Sequence, residues 1–177
     1  MTIPVFKKPY KGDINELAKY VLEESPVTWS DGEKGYFLNA QGEQECSYYN
    51  TSFKLPDKYW PIIEDSLGYK IISDVYAWWH PPEIIEFERH IDNTPYTGND
   101  RQNEYSEGNE FVGKYVGLVP IKGEAEVFIY ENATDDAISS LKYSPGDVVF
   151  LAHSKFWHSV KMDKGKMCLH LICDKDL

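Results

Sequence analysis

The last third of the chain contains the stretch that decides its fold class, residues 143–160, which reads YSPGDVVFLAHSKFWHSV. The Pro145-Gly146-Asp147 segment has the residue types of a tight turn, and the apolar, β-branched run after it predicts a strand over 148–152. A short loop follows, and His158 lies at the start of a second predicted strand over 157–162. The stretch therefore predicts two successive strands with a histidine at the beginning of the second.

Strand signals continue on both sides of this stretch. Short β-branched and aromatic segments occur at 71–79, 84–91, 112–119, 125–130 and 167–173, with earlier candidates at 35–38 and 47–53. Turn residues separate these segments, and no helical pattern lies between the later ones. This order disfavours a parallel βαβ fold. It predicts an antiparallel sandwich or jelly roll of eight to ten strands, with helices packed on one side.

Two helices are predicted, both within the first 70 residues. Asp13 followed by Glu16 forms a capping-box pattern, and apolar residues recur at helical spacing until Pro26. A second helix is expected to have Pro56 in its first turn and to end at Gly68, with Pro61 shortening or tilting it. We expect one domain over 1–177, in which 1–70 form a helical and β support region and 71–177 form the β core.

Composition and charge exclude several classes of protein. Hydrophobic residues make up 42% of the 177 residues and aromatic residues 15%, which is too much apolar surface for a disordered chain. The chain has 18 Lys and Arg residues against 29 Asp and Glu residues, a net charge of −11. A nucleic acid backbone or an anionic membrane surface would therefore be repelled, and neither is an expected partner.

The sequence also predicts a cytoplasmic protein. It has no apolar leader segment after a basic start and no run of 18 apolar residues. Its three cysteines form no CxxC pair, so reduced thiols are expected rather than a zinc knuckle or a redox dithiol.

A candidate metal site begins at His90 and Asp92, which are two residues apart at the end of a predicted strand and therefore share one face. A surface histidine beside a turn aspartate would give the same pair, so this motif alone is not specific. Together with His158, however, it supplies two imidazoles and one carboxylate. Non-haem Fe(II) is the metal that this ligand set favours.

These motifs together resemble those of the Fe(II)- and 2-oxoglutarate-dependent oxygenases, in particular the aspartyl/asparaginyl and prolyl hydroxylase-like group. The resemblance covers residues 84–174, roughly half of the chain. It implies a double-stranded β-helix, or cupin-like jelly roll, in which His90, Asp92 and His158 hold Fe(II) and no other side chain is catalytic. It also implies 2-oxoglutarate and dioxygen as co-substrates, and hydroxylation of a C–H bond in an amino acid, a peptide or another small molecule.

The resemblance also implies how 2-oxoglutarate is held. In this family a basic residue after the distal histidine, usually within Arg-x-Ser, pairs with the far carboxylate. Lys166 and Cys168 occupy the corresponding positions, so the match is approximate at both. A lysine can hold a carboxylate, although without arginine's bidentate fork. A solvent-facing turn lysine is the alternative, in which case Lys161 or Arg89 would be the next candidates. Tyr115 lies on the predicted strand over 112–119, which is expected to line the barrel. If the alternation of side chains along this strand turns Tyr115 inward, its hydroxyl would donate to the same co-substrate.

Three further histidines have competing interpretations. His153 lies five residues before His158 and could replace it as the ligand, although His158 is preferred because it begins a new strand. His170 alternates with Lys166 along one strand and could point into the barrel, but a hydrogen-bonded core histidine is the simpler interpretation. His80 precedes two prolines and is expected in a turn.

A polar segment over 93–109 begins directly after Asp92 and is longer than the loops that compact domains usually contain. We expect it to be a mobile lid, with Arg101 available to pair with an acidic group of the substrate.

Two other functions remain open at this point. A cupin-like module could bind a metal or a ligand without oxygenase activity, although cupins typically have HxH and a downstream Glu where this chain has HxD. A catalytically inactive barrel could also serve as an interaction protein. The sequence indicates neither the prime substrate nor the oligomeric state.

Overall fold

The computed structural model describes residues 3–24, 33–38, 44–53, 55–71, 75–79, 85–90, 106–107, 110–111, 115–153 and 155–176. Side chains are described for 3–24, 55–69, 85–90, 115–153 and 155–171.

Two α-helices and fourteen strands lie in the described part of the chain. The helices are α1 (Ile14–Lys19), which a π-helical turn continues over Tyr20–Glu24, and α2 (Trp60–Leu67). The strands are β1 (Val5–Pro9), β2 (Glu33–Leu38), β3 (Gln44–Phe53), β4 (Tyr69–Ile71), β5 (Val75–Trp79), β6 (Glu86–His90), β7 (Ser106–Glu107), β8 (Glu110–Phe111), β9 (Tyr115–Lys122), β10 (Ala125–Tyr130), β11 (Ser139–Tyr143), β12 (Asp147–Leu151), β13 (Trp157–Met162) and β14 (Met167–Asp176).

The strands form two main antiparallel sheets. The larger sheet has the order β1-β12-β9-β14-β5-β3-β2, with β4 also paired to β14, and the smaller has the order β11-β10-β13-β6. From β9 to β14 the chain passes back and forth between the sheets, since β9, β12 and β14 belong to the larger and β10, β11 and β13 to the smaller. This topology is a double-stranded β-helix, and it confirms the predicted jelly roll.

Both predicted helices are present but shorter than expected. The Asp13 carboxylate caps α1 by accepting hydrogen bonds from the amides of Asn15 and Glu16. Pro61, and not Pro56, occupies the first turn of α2, because the chain around Pro56 forms a separate turn before the helix begins. As predicted, α2 ends at Gly68, whose φ of 70° is a left-handed conformation that glycine adopts without strain.

The strand predictions find most strands of both main sheets but miss several polar or short ones. The bounds of β10 and β13 agree with the prediction residue for residue, whereas β1 and β11 were not predicted. β1 and β11 each lie at the end of a sheet and carry exposed polar side chains, so their sequences lack the apolar alternation of a buried strand. The segment predicted as one polar loop over 93–109 includes β7, which pairs with β8.

Two cores lie on opposite faces of the larger sheet. The helix-facing core lies between this sheet and the helices, and the barrel core lies between the two sheets. Members of the helix-facing core include Leu17, Val21, Ile63, Leu67, Tyr115, Val119, Phe150, Met167, Leu169 and Leu171. The barrel core consists of Phe87, Leu118, Ala125, Val127, Ile129, Tyr143, Val149, Leu151, Val160, Met162 and Cys168. Successive residues of β14 therefore enter different cores.

No helix in the described ranges is both long enough and apolar enough to cross a membrane.

Candidate active site

Two of the predicted metal ligands are direct neighbours. His90, the last residue of β6, is the register partner of His158 near the start of β13. Their ring centroids are 4.3 Å apart and the ring planes are inclined at 58°. His158 is buried and His90 is half-buried. The smaller sheet therefore brings together two imidazoles that are far apart in the sequence.

A β-bulge orients His90. The pairing of β6 with β13 shifts between His90–His158 and Phe87–Val160, so three residues of β6 are matched by two residues of β13. Phe87 therefore enters the barrel core, and its ring lies 6.2 Å from that of His90. Glu88 is exposed, although regular alternation would have placed it on the same face as His90. Bulges often redirect side chains beside functional sites, and this one places the apolar Phe87 next to His90.

Hydrogen bonds to the backbone hold both imidazoles in the same tautomer. The Nδ1 atom of His90 is 2.7 Å from the carbonyl oxygen of Glu88, and that of His158 is 3.2 Å from the carbonyl oxygen of Phe156. A carbonyl oxygen can only accept, so each Nδ1 donates its hydrogen and the lone pair lies on Nε2. Metal-binding histidines commonly donate their second ring N–H in this way.

The spacing of the pair fits one octahedral metal ion. Two imidazoles bound in adjacent positions, with metal–nitrogen bonds of about 2.1 Å, would have ring centroids about 4.5 Å apart. The observed 4.3 Å agrees with this spacing. The described residues contain no cluster of three or more His, Cys, Asp or Glu side chains suited to a metal. Asp92, the expected third ligand, lies outside the described residues and stays a prediction.

His153 also has a buried imidazole, with Nδ1 3.3 Å from the carbonyl oxygen of Leu151. It follows β12 of the larger sheet, whereas His158 is the strand partner of His90. This pairing supports His158 as the second histidine ligand.

Lys166 is a buried cation at the end of the barrel where β14 begins. Only 2% of its surface is exposed, so the solvent-facing alternative is wrong. Its Nζ donates a hydrogen bond to the hydroxyl of Tyr143 at 3.2 Å and lies 4.9 Å from the centre of that ring. Tyr143 is the last residue of the unpredicted edge strand β11, which explains why sequence reasoning missed it.

The charge on Lys166 is only partly compensated. Desolvation acts to lower the pKa of Lys166, but its interactions with the Tyr143 hydroxyl and the Cys168 thiol act in the opposite direction and leave it above the ordinary value. Burial raises the pKa of Tyr143, so this residue is a neutral phenol at physiological pH. An ammonium has three donors, yet the described side chains supply one hydrogen bond and no ion pair. This buried, under-coordinated cation fits an anionic ligand.

Cys168 occupies the position where the family has serine, and it behaves as an apolar group. Its side chain is part of the barrel core, and desolvation raises its pKa to about 11. The neutral thiol donates weakly to the carbonyl oxygen of Leu169 at 3.5 Å, and its sulfur also contacts the backbone of Val119. Cys168 therefore lines the barrel without adding charge.

We expect the Cys168 thiol of the native protein not to react with iodoacetamide at pH 8, because it is buried and its thiolate is disfavoured. The same peptide should be labelled fully after unfolding in guanidinium chloride. Peptide mapping by mass spectrometry measures both states, and rapid native labelling would contradict the buried position.

The assignment of Tyr115 to the co-substrate requires correction. Its side chain lies in the helix-facing core, where the ring packs 5.4 Å from Phe6 and 5.6 Å from Tyr69. Leu118, three residues later on β9, enters the barrel core instead. Both faces of β9 are buried, so hydrophobicity alone does not indicate which face Tyr115 shares. The structure does not bring Tyr115 to Lys166.

The two reserve candidates for the anchor lie outside the barrel. Lys161 is exposed, with Nζ 5.6 Å from the Phe128 ring, and it alternates with barrel-core residues along β13. Arg89 lies 3.6 Å from the centre of the Tyr130 ring and donates to the carbonyl oxygen of Asp135. Of the basic residues considered for this role, only Lys166 is buried beside the barrel core.

The remaining predicted features lie outside the described residues. They are His80, Asp92, Arg101 and the segment 91–105, which includes most of the proposed lid.

No protein-family model matches the sequence, and no curated protein matches it either. Solved structures do match along almost the whole chain. The non-haem α-ketoglutarate-dependent epimerase SnoN from nogalamycin biosynthesis aligns with a TM-score of 0.61 and 11% identity, over 98% of this chain and 79% of that one. A second SnoN structure, in complex with Fe3+, α-ketoglutarate and nogalamycin RO, gives 0.57 and 10%, over 97% and 80%.

A prolyl hydroxylase from Trichoplax adhaerens, in complex with a hypoxia inducible factor peptide fragment, aligns with a TM-score of 0.59 and 13% identity. That alignment covers 97% of this chain and 84% of the hydroxylase chain. At such low identities the similarity establishes the fold and leaves the reaction open. The chain therefore has the double-stranded β-helix fold of the non-haem α-ketoglutarate-dependent enzymes.

Proposed function

We propose that the protein is a non-haem Fe(II)- and 2-oxoglutarate-dependent oxygenase that hydroxylates a C–H bond of an amino acid, a peptide or another small substrate. The observation that carries this proposal is the pairing of His90 with His158. Their spacing and their Nδ1–carbonyl hydrogen bonds match two ligands of one octahedral ion. The barrel in which they lie also contains the under-coordinated ammonium of Lys166.

His90, His158 and Asp92 would hold the iron. When bound, Fe(II) together with 2-oxoglutarate would supply the oxidising chemistry for the C–H bond. The protein would position the reactants and exclude water. Val127, Ile129 and Val160 line the barrel beside the histidines and supply its apolar wall.

Lys166 and Tyr143 would bind the far carboxylate of 2-oxoglutarate. The ammonium compensates the negative charge in a site that excludes water, where a charge-assisted hydrogen bond is strong. The Tyr143 hydroxyl accepts its hydrogen bond from Lys166 and has its own hydrogen to donate. One cation and one phenol can therefore both donate to the same carboxylate.

The reaction outcome and the substrate are proposed from the sequence resemblance. Proteins with this fold include an epimerase as well as a prolyl hydroxylase, and the latter was solved with a peptide. A peptide, an amino acid or a small molecule suits a chain with a net charge of −11 better than a nucleic acid does. We also propose a cytoplasmic location, where the reduced thiols expected of the three cysteines would persist.

The test is 2-oxoglutarate turnover by the full chain. The protein is loaded with Fe(II) under argon, mixed with 2-oxoglutarate and a panel of amino acids and peptides, and exposed to oxygen. We expect iron-dependent succinate and a substrate product 16 Da heavier by mass spectrometry, both lost in His90→Ala. Metal binding without succinate would favour the cupin-like module, and absence of metal binding would overturn the oxygenase and leave only a cupin-like module that binds a ligand without metal.

A further inference from the structure

His170 is a half-buried imidazole in the middle of the larger sheet. It lies on β14, opposite Leu118 of β9 on one side and Tyr76 of β5 on the other. Its neighbours Leu169 and Leu171 are fully buried in the helix-facing core, so alternation turns His170 toward the barrel. Strands flank it on both sides, so its exposed surface faces the interior of the barrel.

The barrel side of β14 has a definite chemical order. Lys166 directly precedes the strand, and the barrel side of this segment runs from its ammonium to the neutral thiol of Cys168 and then to the imidazole of His170. Lys166 and Cys168 are almost completely buried, whereas His170 is accessible. Alternate residues of a strand are about 6.6 Å apart. This face therefore carries a cation, an uncharged thiol and a hydrogen-bonding imidazole at regular intervals.

This order matches a five-carbon dicarboxylate. Lys166 and His170 are two such intervals, about 13 Å, apart along the chain. The carboxyl carbons of an extended five-carbon dicarboxylate are about 5 Å apart, and a hydrogen bond adds about 3.5 Å from carboxyl carbon to donor nitrogen at each end, so the bound molecule would span about 12 Å. With one carboxylate on Lys166, its methylene groups would pass Cys168 and its second acidic end would approach His170. An imidazole has an N–H to donate in either protonation state, so it can bind that end over a wide pH range.

We propose that His170 binds the keto-acid end of 2-oxoglutarate through a hydrogen bond to its carboxylate. This inference rests on the proposed function and adds a co-substrate contact that the family motif does not contain. His170 and Lys166 would thus hold opposite ends of one molecule along a single strand.

Histidine footprinting with diethylpyrocarbonate tests this on the full chain, with Mn(II) in place of Fe(II). We expect His170 to be labelled in the free protein and equally fast with Mn(II) alone, which should protect His90. Adding 2-oxoglutarate at about 100 times its Kd leaves roughly 1% of the protein free, so His170 labelling should fall at least tenfold. Peptide mass spectrometry reports each histidine separately.

Two variants make the test independent of labelling chemistry. His170→Phe should weaken 2-oxoglutarate binding to the Mn(II) form about tenfold in calorimetry, because it removes the donor. His170→Gln retains an N–H donor and should keep most of the affinity.

Protection of His90 by Mn(II) with unchanged His170 labelling in 2-oxoglutarate would overturn the inference and leave the proposed function intact. If the Mn(II) form of His170→Phe bound 2-oxoglutarate as tightly as the parent protein, the inference would likewise be overturned and the proposed function would remain. Failure of Mn(II) to protect His90 would instead overturn the metal site, and this inference with it.

Discussion

Replacing His158 by alanine is expected to weaken Mn(II) binding by roughly 100-fold or more, since loss of a ligand should exceed the 10–100-fold cost of losing an outer hydrogen-bond partner. His90→Ala should have an effect of the same size, because the two imidazoles are strand partners with matching Nδ1–carbonyl hydrogen bonds. Titration calorimetry with Mn(II) measures both. His90 is only half-buried whereas His158 is buried, so His90→Ala should disturb the fold less than His158→Ala does.

The matched control for this experiment is His153→Ala. His153 is also buried and also hydrogen-bonds a carbonyl two residues earlier, so the substitution removes a similar imidazole from the same region. It should leave Mn(II) binding nearly unchanged. If His153→Ala abolished Mn(II) binding while His158→Ala did not, the assignment of His158 as a metal ligand would be wrong and His153 would take its place. Thermal melting of each metal-free variant separates loss of binding from loss of fold.

Lys166→Met should raise the Kd for 2-oxoglutarate about tenfold to a hundredfold while leaving Mn(II) binding nearly intact. The substitution removes a buried charge-assisted hydrogen bond, worth on the order of 1.5 to 3 kcal/mol, and keeps most of the side-chain volume. Tyr143→Phe should give a smaller loss, because the ammonium remains. Lys166→Arg should retain more affinity than Lys166→Met, since its guanidinium is still a cation. Calorimetry on the Mn(II)-loaded variants measures each Kd.

Lys161→Met is the matched control for Lys166. It removes the same charge from the exposed face of β13 and should leave the Kd for 2-oxoglutarate unchanged. Parental affinity in Lys166→Met would show that the anchor lies elsewhere. The metal site would survive that result, but the co-substrate would then need independent evidence.

Local sequence was sufficient for the features that depend on near neighbours. The turn at Pro145–Asp147 is followed by β12, and Gly146 has the positive φ of 105° that explains glycine there. The bounds of β10 and β13 follow from apolar alternation, and the cap at Asp13 follows from a carboxylate beside two free amides. The sequence also suggested that the His90 and His158 motifs act together, although only through a family resemblance.

Strand pairing and side-chain burial could not be predicted in the same way, because they depend on residues distant in the chain. β1 and β11 are polar edge strands that exist through their pairing with β12 and β10. The bulge beside His90 is a property of the β6–β13 register.

The faces of the buried strands are the clearest case of a feature that only the tertiary structure decided. Period-two alternation by itself predicted that Lys166, just before β14, and Cys168 and His170, within it, share one side of this segment. Both sides of the larger sheet are buried, one under helices and one under the second sheet, so hydrophobicity does not distinguish them. Tertiary packing alone placed the Tyr115 side chain in the helix-facing core and brought the Tyr143 hydroxyl within hydrogen-bond distance of Lys166.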